Sequence, residues 1–374
     1  MKRFLFLVFA LSLVAVSCKK ETTVDVKPAS AKNEIRHAKG LSISRHGGYS
    51  VVTISNPWPG SKETYTYILK KATGKIPDSL RYPVIDVPVK RVVVTSTTHI
   101  PSLEMLGVEN SLVGFPNLSY ISSPKVRRSI ADGKIRELGS NQSINIEAAI
   151  DLQPDVVVGF GIDNNNPGLQ KLEKGGLRVM LNGDWNEQTP LGKAEWIKFF
   201  GALYGLEEKA DALFSKIETD YIKTTELAKT AGSRPTVLIG GMFESRWNVP
   251  RGESWGAIFI RDAQGKYLWE ETTGTGSLSL PFEAVLEKAG NAEVWIGPGQ
   301  YSGLDEMREA NPHYEQFSAF KRRNVYMFTK GETGGILYYE LAPNRPDLVL
   351  RDVLKMVHPE LLPQHELYFF DKLK

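Results

Sequence analysis

The feature that most constrains the fold is a series of short, continuous apolar runs, each followed by a stretch with helical spacing. The runs are Arg91–Thr95, Asp155–Phe160, Leu177–Leu181, Thr236–Gly240, Glu293–Ile296 and Asn324–Phe328. A strand with one face in water alternates apolar and polar residues, whereas these runs do not alternate, so they predict strands buried on both faces. Such strands form parallel sheets covered by helices, and we therefore expect an α/β fold.

A long amphipathic stretch separates the third run from the fourth. It extends from Ala194 to Thr230 and is interrupted at Gly201 and Gly205. A helix of roughly 25 residues would span about 37 Å, which is longer than one α/β lobe requires. We predict that this helix, at about 206–231, joins two lobes, each a parallel-stranded sheet flanked by helices. Lobe 1 would then cover about 91–205 and lobe 2 about 232–362.

The first residues have the layout of a secretory signal that ends at a cysteine. Lys2 and Arg3 precede the apolar run Phe4–Val16, and Cys18 follows Ser17. The run is shorter than the roughly 20 apolar residues of a transmembrane helix. Because Cys18 is the single cysteine of the chain, an internal disulfide, a thiolate zinc site and an iron–sulfur cluster are excluded.

The residues before Cys18 resemble the lipobox of bacterial lipoproteins, although that pattern prefers Leu where Ala15 stands. The resemblance implies that a signal peptide, 1–17, is removed and that acylated Cys18 anchors the protein in the cell envelope, facing the periplasm. The alternative is an ordinary signal peptide followed by an unmodified cysteine. Removing Lys2 and Arg3 leaves a net charge of 44 − 43 = +1, and nothing here indicates nucleic-acid binding.

The segments that flank the lobes have different compositions. Residues 18–39 are rich in Lys, Thr, Ala and Glu with little apolar periodicity, which predicts a flexible leash. Residues 40–90 contain apolar or β-branched runs over 41–44, 49–55 and 64–69, which predict antiparallel strands in a β-hairpin extension. We assign 363–374 to a C-terminal tail.

Three segments together resemble the substrate-binding lipoproteins of ABC importers for ferric siderophores, haem or vitamin B12. They are Arg91–Ser96 with Leu103–Gly107 and Leu112–Gly114; Ile144–Val158; and Leu280–Leu286 with Ala292–Ile296. The resemblance covers about 91–362. It implies two α/β lobes joined by one long helix, with the ligand held in the cleft between them and delivered to a membrane permease and its ATPase. It also implies that Glu147 and Glu283, one on each lobe, dock onto permease arginines.

Candidate ligand contacts follow from the position of the strands. Open α/β sheets place their clefts at the carboxyl ends of the parallel strands. The residues selected in this way are His99, Tyr120, Phe160, Trp185, Arg246, Trp247, Trp255, Tyr301 and Tyr339. Aromatic faces suit a wide, partly apolar ligand, and Arg246 suits an anionic chelate or a propionate.

The residues leave the ligand open among a ferric siderophore, ranked slightly ahead, cobalamin and haem. The six histidines include none between His99 and His313, which argues against a His-rich site for a free metal ion, so we expect no metal site and no resident cofactor. His99 is expected to be a cleft-wall residue, with axial ligation of haem iron as the alternative. We expect a monomeric binding protein without enzymatic activity. The different-class alternative is a secreted, lipid-anchored hydrolase that would use Asp184 and Glu187.

Overall fold

The computed structural model describes residues 33–163, 165–331 and 335–374. The predicted signal peptide, Cys18 and the part of the predicted leash before residue 33 lie outside the described residues. No helix within the described part of the chain combines the length and the apolar character that crossing a membrane requires.

Four strands precede lobe 1 in the chain. They are β1 (Leu41–Arg45), β2 (Tyr49–Ser55), β3 (Thr64–Lys71) and β4 (Val84–Val87). They form one sheet in this order, with β4 parallel to β3 and the other pairs antiparallel. The three predicted antiparallel strands are thus confirmed, whereas β4 was not expected. Apolar side chains of this sheet, such as Ile54 and Leu69, belong to the same buried core as Val93 of lobe 1. The segment is therefore a wall of lobe 1 rather than a separate hairpin.

The end of the predicted leash is also packed on lobe 1, which corrects the predicted boundary at residue 39. The backbone N–H groups of residues 36–38 donate to the buried Glu195 carboxylate at 2.6 to 3.0 Å. Those of residues 39–40 donate to Glu187 at 2.8 to 2.9 Å. Composition misses this arrangement because backbone N–H groups, which every residue except proline has, form the contacts.

Lobe 1 contains a five-stranded sheet covered by helices and, in addition, a two-stranded hairpin. Its strands are β5 (Val92–Val94), β6 (Leu112–Phe115), β7 (Arg136–Glu137), β8 (Gly139–Ser140), β9 (Ser143–Ile144), β10 (Val156–Gly159) and β11 (Val179–Leu181). Its helices are α1 (His99–Leu106), α2 (Pro124–Ala131), α3 (Ile146–Asp151), α4 (Pro167–Lys174), α5 (Pro190–Ala194) and α6 (Ile197–Tyr204). The sheet has the order β11-β10-β5-β6-β7 and every neighbouring pair is parallel, while β8 and β9 form a small hairpin.

The connecting helix is α7 (Glu207–Ala228), close to the predicted range. Gly205 ends α6 in the left-handed conformation at φ 65°, so the glycine separates two helices as its position predicts. At 1.5 Å per residue, α7 is about 33 Å long.

Lobe 2 has the same architecture as lobe 1, with two additions. One is a separate three-stranded antiparallel sheet, and the other is an antiparallel strand at the edge of the main sheet. Its strands are β12 (Thr236–Ile239), β13 (Met242–Phe243), β14 (Arg246–Pro250), β15 (Lys266–Tyr267), β16 (Ser277–Leu280), β17 (Val294–Ile296), β18 (Val325–Phe328) and β19 (Phe370–Lys372). Its helices are α8 (Trp255–Asp262), α9 (Phe282–Ala289), α10 (Leu304–Ala310), α11 (Ser318–Lys321), α12 (Leu337–Leu341) and α13 (Pro346–Val357). The main sheet has the order β15-β12-β17-β18-β19, and β13, β14 and β16 form a separate antiparallel sheet. All six predicted buried strands are thus present and pair in parallel with one another within each lobe, and the α/β fold with two lobes is confirmed.

The residues predicted as a C-terminal tail instead complete the lobe 2 sheet. Strand β19 pairs antiparallel with β18, and the buried Asp352 accepts the backbone N–H groups of Tyr368 at 2.9 Å and Phe369 at 2.7 Å. Residues 368–372 therefore belong to the fold of lobe 2.

Candidate functional site

A cavity of about 570 Å³ lies where the carboxyl ends of β5, β6 and β10 face α12 of lobe 2. Its lining residues are Thr95, Ser96, Thr97, Phe115, Pro116, Ser119, Tyr120, Asn141, Phe160, Gly335, Ile336, Tyr339 and Glu340. Neighbouring parallel strands bring their carboxyl ends to one edge of the sheet, so the loops that follow them meet there. The volume is in the range of small-molecule sites, and both lobes contribute to the wall.

A second cavity of about 280 Å³ extends this space along lobe 1. The two cavities share Thr95, Asn141 and Phe160, and the second continues along Ile162 and Asp163 towards the start of α4. Together they form a groove, which we call the cleft.

The cleft offers hydroxyl, amide and aromatic groups. Tyr120 from lobe 1 is 66% exposed and Tyr339 from lobe 2 is 57% exposed, although both are large aromatic side chains. Phe160 is partly buried between the two cavities. Three of the nine predicted ligand residues, Tyr120, Phe160 and Tyr339, are thus brought together. Exposed aromatic side chains on a shared concave surface are typical of binding sites.

Hydrogen bonds join the lobes at the edge of the cleft. The Glu340 carboxylate of lobe 2 accepts the backbone N–H groups of Ser122 at 2.6 Å and Ser123 at 3.0 Å, both in lobe 1. Nearby, Asn344 of lobe 2 accepts from the Ser102 hydroxyl at 2.7 Å and donates its amide to a backbone carbonyl of lobe 1 at 2.8 Å. These bonds hold α12 against lobe 1.

Glu340 has an unusual electrostatic environment. Burial raises its pKa to about 7, an effect that the Ser122 N–H partly offsets and the Glu104 carboxyl increases. Burial also raises the pKa of Glu104, whose carboxylate accepts the Ser123 hydroxyl. A buried and a half-buried carboxyl group thus lie close to the same short loop, and a proton on one of them relieves their repulsion.

Two predicted ligand residues are buried in the lobes, which corrects the sequence prediction. His99 is fully buried in α1 with its ring 5.6 Å from that of Phe200, and burial lowers its pKa. Trp247 is fully buried in lobe 2, with its ring 5.2 Å from Trp295 and 5.4 Å from Phe317. Neither side chain lines the cleft, because each is enclosed by aromatic rings that follow much later in the chain.

The remaining predicted ligand residues lie near the facing loops but do not line the cleft cavities. The Trp185 indole donates to the Gly161 carbonyl at 3.1 Å, and Tyr301 packs against the core of lobe 2. Trp255 lies between the lobes, with the Lys193 ammonium 5.6 Å above its ring. Arg246 on β14 donates to the hydroxyl and the carbonyl of Ser279 on β16, so its guanidinium is engaged within the small sheet.

The two predicted docking residues are both exposed. Glu147 is in the first turn of α3 in lobe 1 and Glu283 is in the first turn of α9 in lobe 2. Neither carboxylate forms a hydrogen bond or an ion pair with a residue in the described part of the chain. Each carboxylate thus stands at the start of a helix, one in each lobe.

The acid pair considered for a hydrolase is used in packing. Asp184 is 6% exposed and accepts the Thr98 hydroxyl at 2.9 Å. Glu187 is also 6% exposed, and its carboxylate holds the backbone of residues 39–40 and the indole of Trp196 at 3.2 Å. No cluster of three or more His, Cys, Asp or Glu side chains suited to a metal ion occurs among the described residues.

Sequence reasoning missed most of the polar lining. Residues 95–97 directly follow β5, so the rule that selected the aromatic side chains could also have selected these hydroxyls. Glu340 lies one position beyond Tyr339 and turns towards the lobe 1 backbone. The predicted ligand residues are aromatic or cationic side chains, and these short polar side chains beside them were not predicted.

The sequence and the fold match known proteins. A profile of the periplasmic binding protein family matches residues 92–330. An uncharacterized lipoprotein of Methanocaldococcus jannaschii is 27% identical over 380 residues, which covers 95% of this chain and 89% of that one. This alignment is long enough to include most of the N-terminal sheet, which the family profile leaves out.

Two solved structures have a similar fold. The periplasmic haem-binding protein of Roseiflexus sp. RS-1 superposes with a TM-score of 0.57 at 17% identity, covering 73% of this chain and 99% of that one. The periplasmic vitamin B12-binding protein of Vibrio cholerae superposes with a TM-score of 0.51 at 15% identity, covering 74% and 99%. Because the profile matches more than half of the chain, the protein belongs to the periplasmic binding protein family, whose members bind small molecules for transport.

Proposed function

We propose that this protein is the substrate-binding component of an ABC importer and that it captures a metal chelate in the cleft. A ferric siderophore is the first candidate, with cobalamin and haem as the alternatives. The observation that carries the proposal is the cavity of about 570 Å³ between the lobes, with an exposed tyrosine on each side. A site that both lobes share lets one ligand contact both lobes at once.

Direct titration tests the ligand. The purified protein is titrated with ferrichrome, ferrioxamine B, ferric enterobactin, haem and cyanocobalamin, and binding is followed by tryptophan fluorescence and calorimetry. We expect saturable binding of at least one of them. The variants Tyr120→Ala and Tyr339→Ala should each weaken that binding by about tenfold, because each removes an aromatic face from the cavity.

Tyr368→Ala is the matched control, since Tyr368 is 46% exposed and does not line the cleft. It should leave the affinity unchanged. Absence of binding for all five compounds would refute the proposed ligand class, and equal losses in all three variants would refute the proposed location.

We propose that Glu147 and Glu283 dock onto cationic residues of the permease. Exposed carboxylates on two rigid lobes have a fixed separation, so charge complementarity sets the register of the complex. In vesicles that carry the cognate permease and ATPase, Glu147→Ala and Glu283→Ala should lower chelate uptake by about tenfold or more while leaving chelate affinity unchanged.

Glu287→Ala is the control for this experiment, because Glu287 is exposed on the same helix as Glu283, one turn further on. Uptake should be unaffected. If Glu147→Ala and Glu283→Ala transport as well as the native protein, the docking assignment is wrong.

We propose further that Cys18 carries the lipid anchor. The support is the signal layout that ends at the single cysteine, together with the lipoprotein name of a relative that aligns over most of the chain. Cys18→Ala should move the protein from the membrane fraction to the soluble fraction and abolish incorporation of labelled palmitate. Retention of the variant in the membrane fraction would contradict this assignment.

A further inference from the structure

The charge of the cleft restricts the ligand more narrowly than the family does. Among the described residues that line the two cleft cavities, the charged side chains are Glu340 and Asp163, and both are acidic. The other polar lining groups are hydroxyls and amides, contributed mainly by residues 95–97 and by Asn141. Lys and Arg are absent from this described lining.

Three cations on nearby loops are engaged elsewhere. Arg246 donates to Ser279 across two neighbouring strands. The Lys193 ammonium donates to the backbone carbonyls of Asp184 at 3.3 Å and Trp185 at 2.6 Å. Arg127 donates to the Leu118 carbonyl at 2.7 Å. A ligand in the cleft would therefore have to break existing contacts to gain any of these three partners.

We infer that the cleft selects a neutral or cationic chelate, rich in oxygen acceptors, and discriminates against anionic chelates and haem. An anion moved from water into a cavity without a cation loses hydration that no partner replaces. The Glu340 and Asp163 carboxylates add like-charge repulsion. Hydroxyl and amide donors instead suit the uncharged oxygen atoms of a hydroxamate or of a corrin side-chain amide, and a ligand ammonium would be stabilised by either carboxylate.

The groups that face Glu340 act on its charge in opposite directions. The Glu104 carboxyl on α1 opposes ionisation of Glu340, whereas the backbone N–H groups of Ser122 and Ser123, which donate to its carboxylate, favour it. Two cations act more remotely through Glu104, namely Lys125 and Arg128 of α2. Because the pKa of Glu340 is about 7, its carboxylate is mostly ionised at about pH 8.

This inference rests on the proposed function, and one set of titrations tests both. At about pH 8 the protein is titrated with ferrioxamine B, which is cationic, ferrichrome and cyanocobalamin, which are neutral overall, and ferric enterobactin and haem, which are anionic. We expect at least one cationic or neutral compound to bind at least about tenfold more tightly than either anionic one. If an anionic compound binds as tightly as the best neutral or cationic one, the inference is overturned but the proposed function stands. If none of the five binds, both fail.

Two substitutions locate the effect. Ser119→Arg places a cation on an exposed residue of the cavity wall and should strengthen binding of ferric enterobactin by about tenfold, while Ser119→Gln, which adds bulk without charge, should not.

Glu340→Gln keeps the shape of the side chain and should reduce the preference for ferrioxamine B over ferric enterobactin by several-fold. Glu309→Gln, at an exposed position on α10, is the matched control and should preserve that preference. An unchanged preference in both Ser119→Arg and Glu340→Gln would overturn the inference, because charge in the cavity would then not determine selection.

Discussion

Lobe 1 and lobe 2 each hold one end of the described chain with a buried carboxylate, but the two carboxylates have different partners. Glu195 of lobe 1 binds the backbone of residues 36–38 and forms an ion pair with the buried Lys198 at 3.0 Å. Asp352 of lobe 2 binds the backbone of residues 368–369 and the imidazole of His365 at 2.6 Å. The first segment was predicted to be a flexible leash and the second a C-terminal tail, and both are fixed by backbone donors that composition does not reveal.

A third buried carboxylate joins the lobes and has no cation partner in the described part of the chain. Glu340 accepts two backbone N–H groups across the interface, and the Glu104 carboxyl raises its pKa further. Glu195 and Asp352, each with a cation or an imidazole beside it, anchor a terminal segment. Glu340 lies beside another acid instead, so the stability of its contacts across the interface depends on pH.

The largest effect is expected for Glu195→Ala. The substitution leaves three backbone N–H groups and the Lys198 ammonium buried without their main acceptor, so the free energy of unfolding should fall by about 3–5 kcal/mol. Urea denaturation measures the loss, and limited proteolysis should show cleavage within residues 33–40. The control Glu208→Ala, at an exposed position of α7, should change stability by less than about 0.5 kcal/mol. A loss below about 1 kcal/mol for Glu195→Ala would show that the backbone contacts do not hold this segment.

Asp352→Ala should have a smaller effect, of about 2–4 kcal/mol. It removes the acceptor of two backbone N–H groups, but the side chain left behind is an imidazole rather than an ammonium group, so no permanently charged group is left buried. Urea denaturation again gives the value, and hydrogen exchange should show faster exchange in β19. Equal losses for Asp352→Ala and Glu195→Ala would contradict the distinction between a lysine and a histidine partner.

The pH dependence of stability tests the third carboxylate. The pKa of Glu340 is raised from 4.5 to about 7 in the folded protein, so its contribution to stability is fully present below about pH 4.5 and is lost as pH rises through about 7. The expected loss is about 1–3 kcal/mol, and Glu340→Gln should remove that part of the slope. Urea denaturation at a series of pH values from 4 to 8 measures it. Identical slopes in the native protein and the variant would show that Glu340 does not titrate in this range.

The smallest effect is expected for Arg36→Ala. The Arg36 guanidinium pairs with Glu218 at 2.7 Å, but the Arg36 side chain is 56% exposed, so the pair should contribute only about 0–1 kcal/mol. Thermal and urea denaturation should detect little change. A loss as large as that of Glu195→Ala would mean that side chains, rather than backbone N–H groups, hold the N-terminal segment.

Much of the fold could be predicted from the sequence because its signals are local. Continuous apolar runs predicted the buried parallel strands, and the spacing around Gly205 predicted where α6 ends and α7 begins. The boundaries at residues 39 and 363 were wrong because they depend on Glu195 and Asp352, which are distant in the chain from the segments they bind. Long-range hydrogen bonds to backbone groups leave no periodic pattern.

The sequence by itself determined the two lobes, the connecting helix and the edge of each sheet at which a ligand can bind, because buried parallel strands and the helices between them follow from patterns within short segments. Only the tertiary structure decided which strand-end aromatics are available there. Tyr120 and Trp247 follow the same rule in sequence, yet Tyr120 lines the cleft while Trp247 is buried against Trp295. The direction of a side chain depends on what packs against it from the rest of the chain, and that information exists only once the chain is folded.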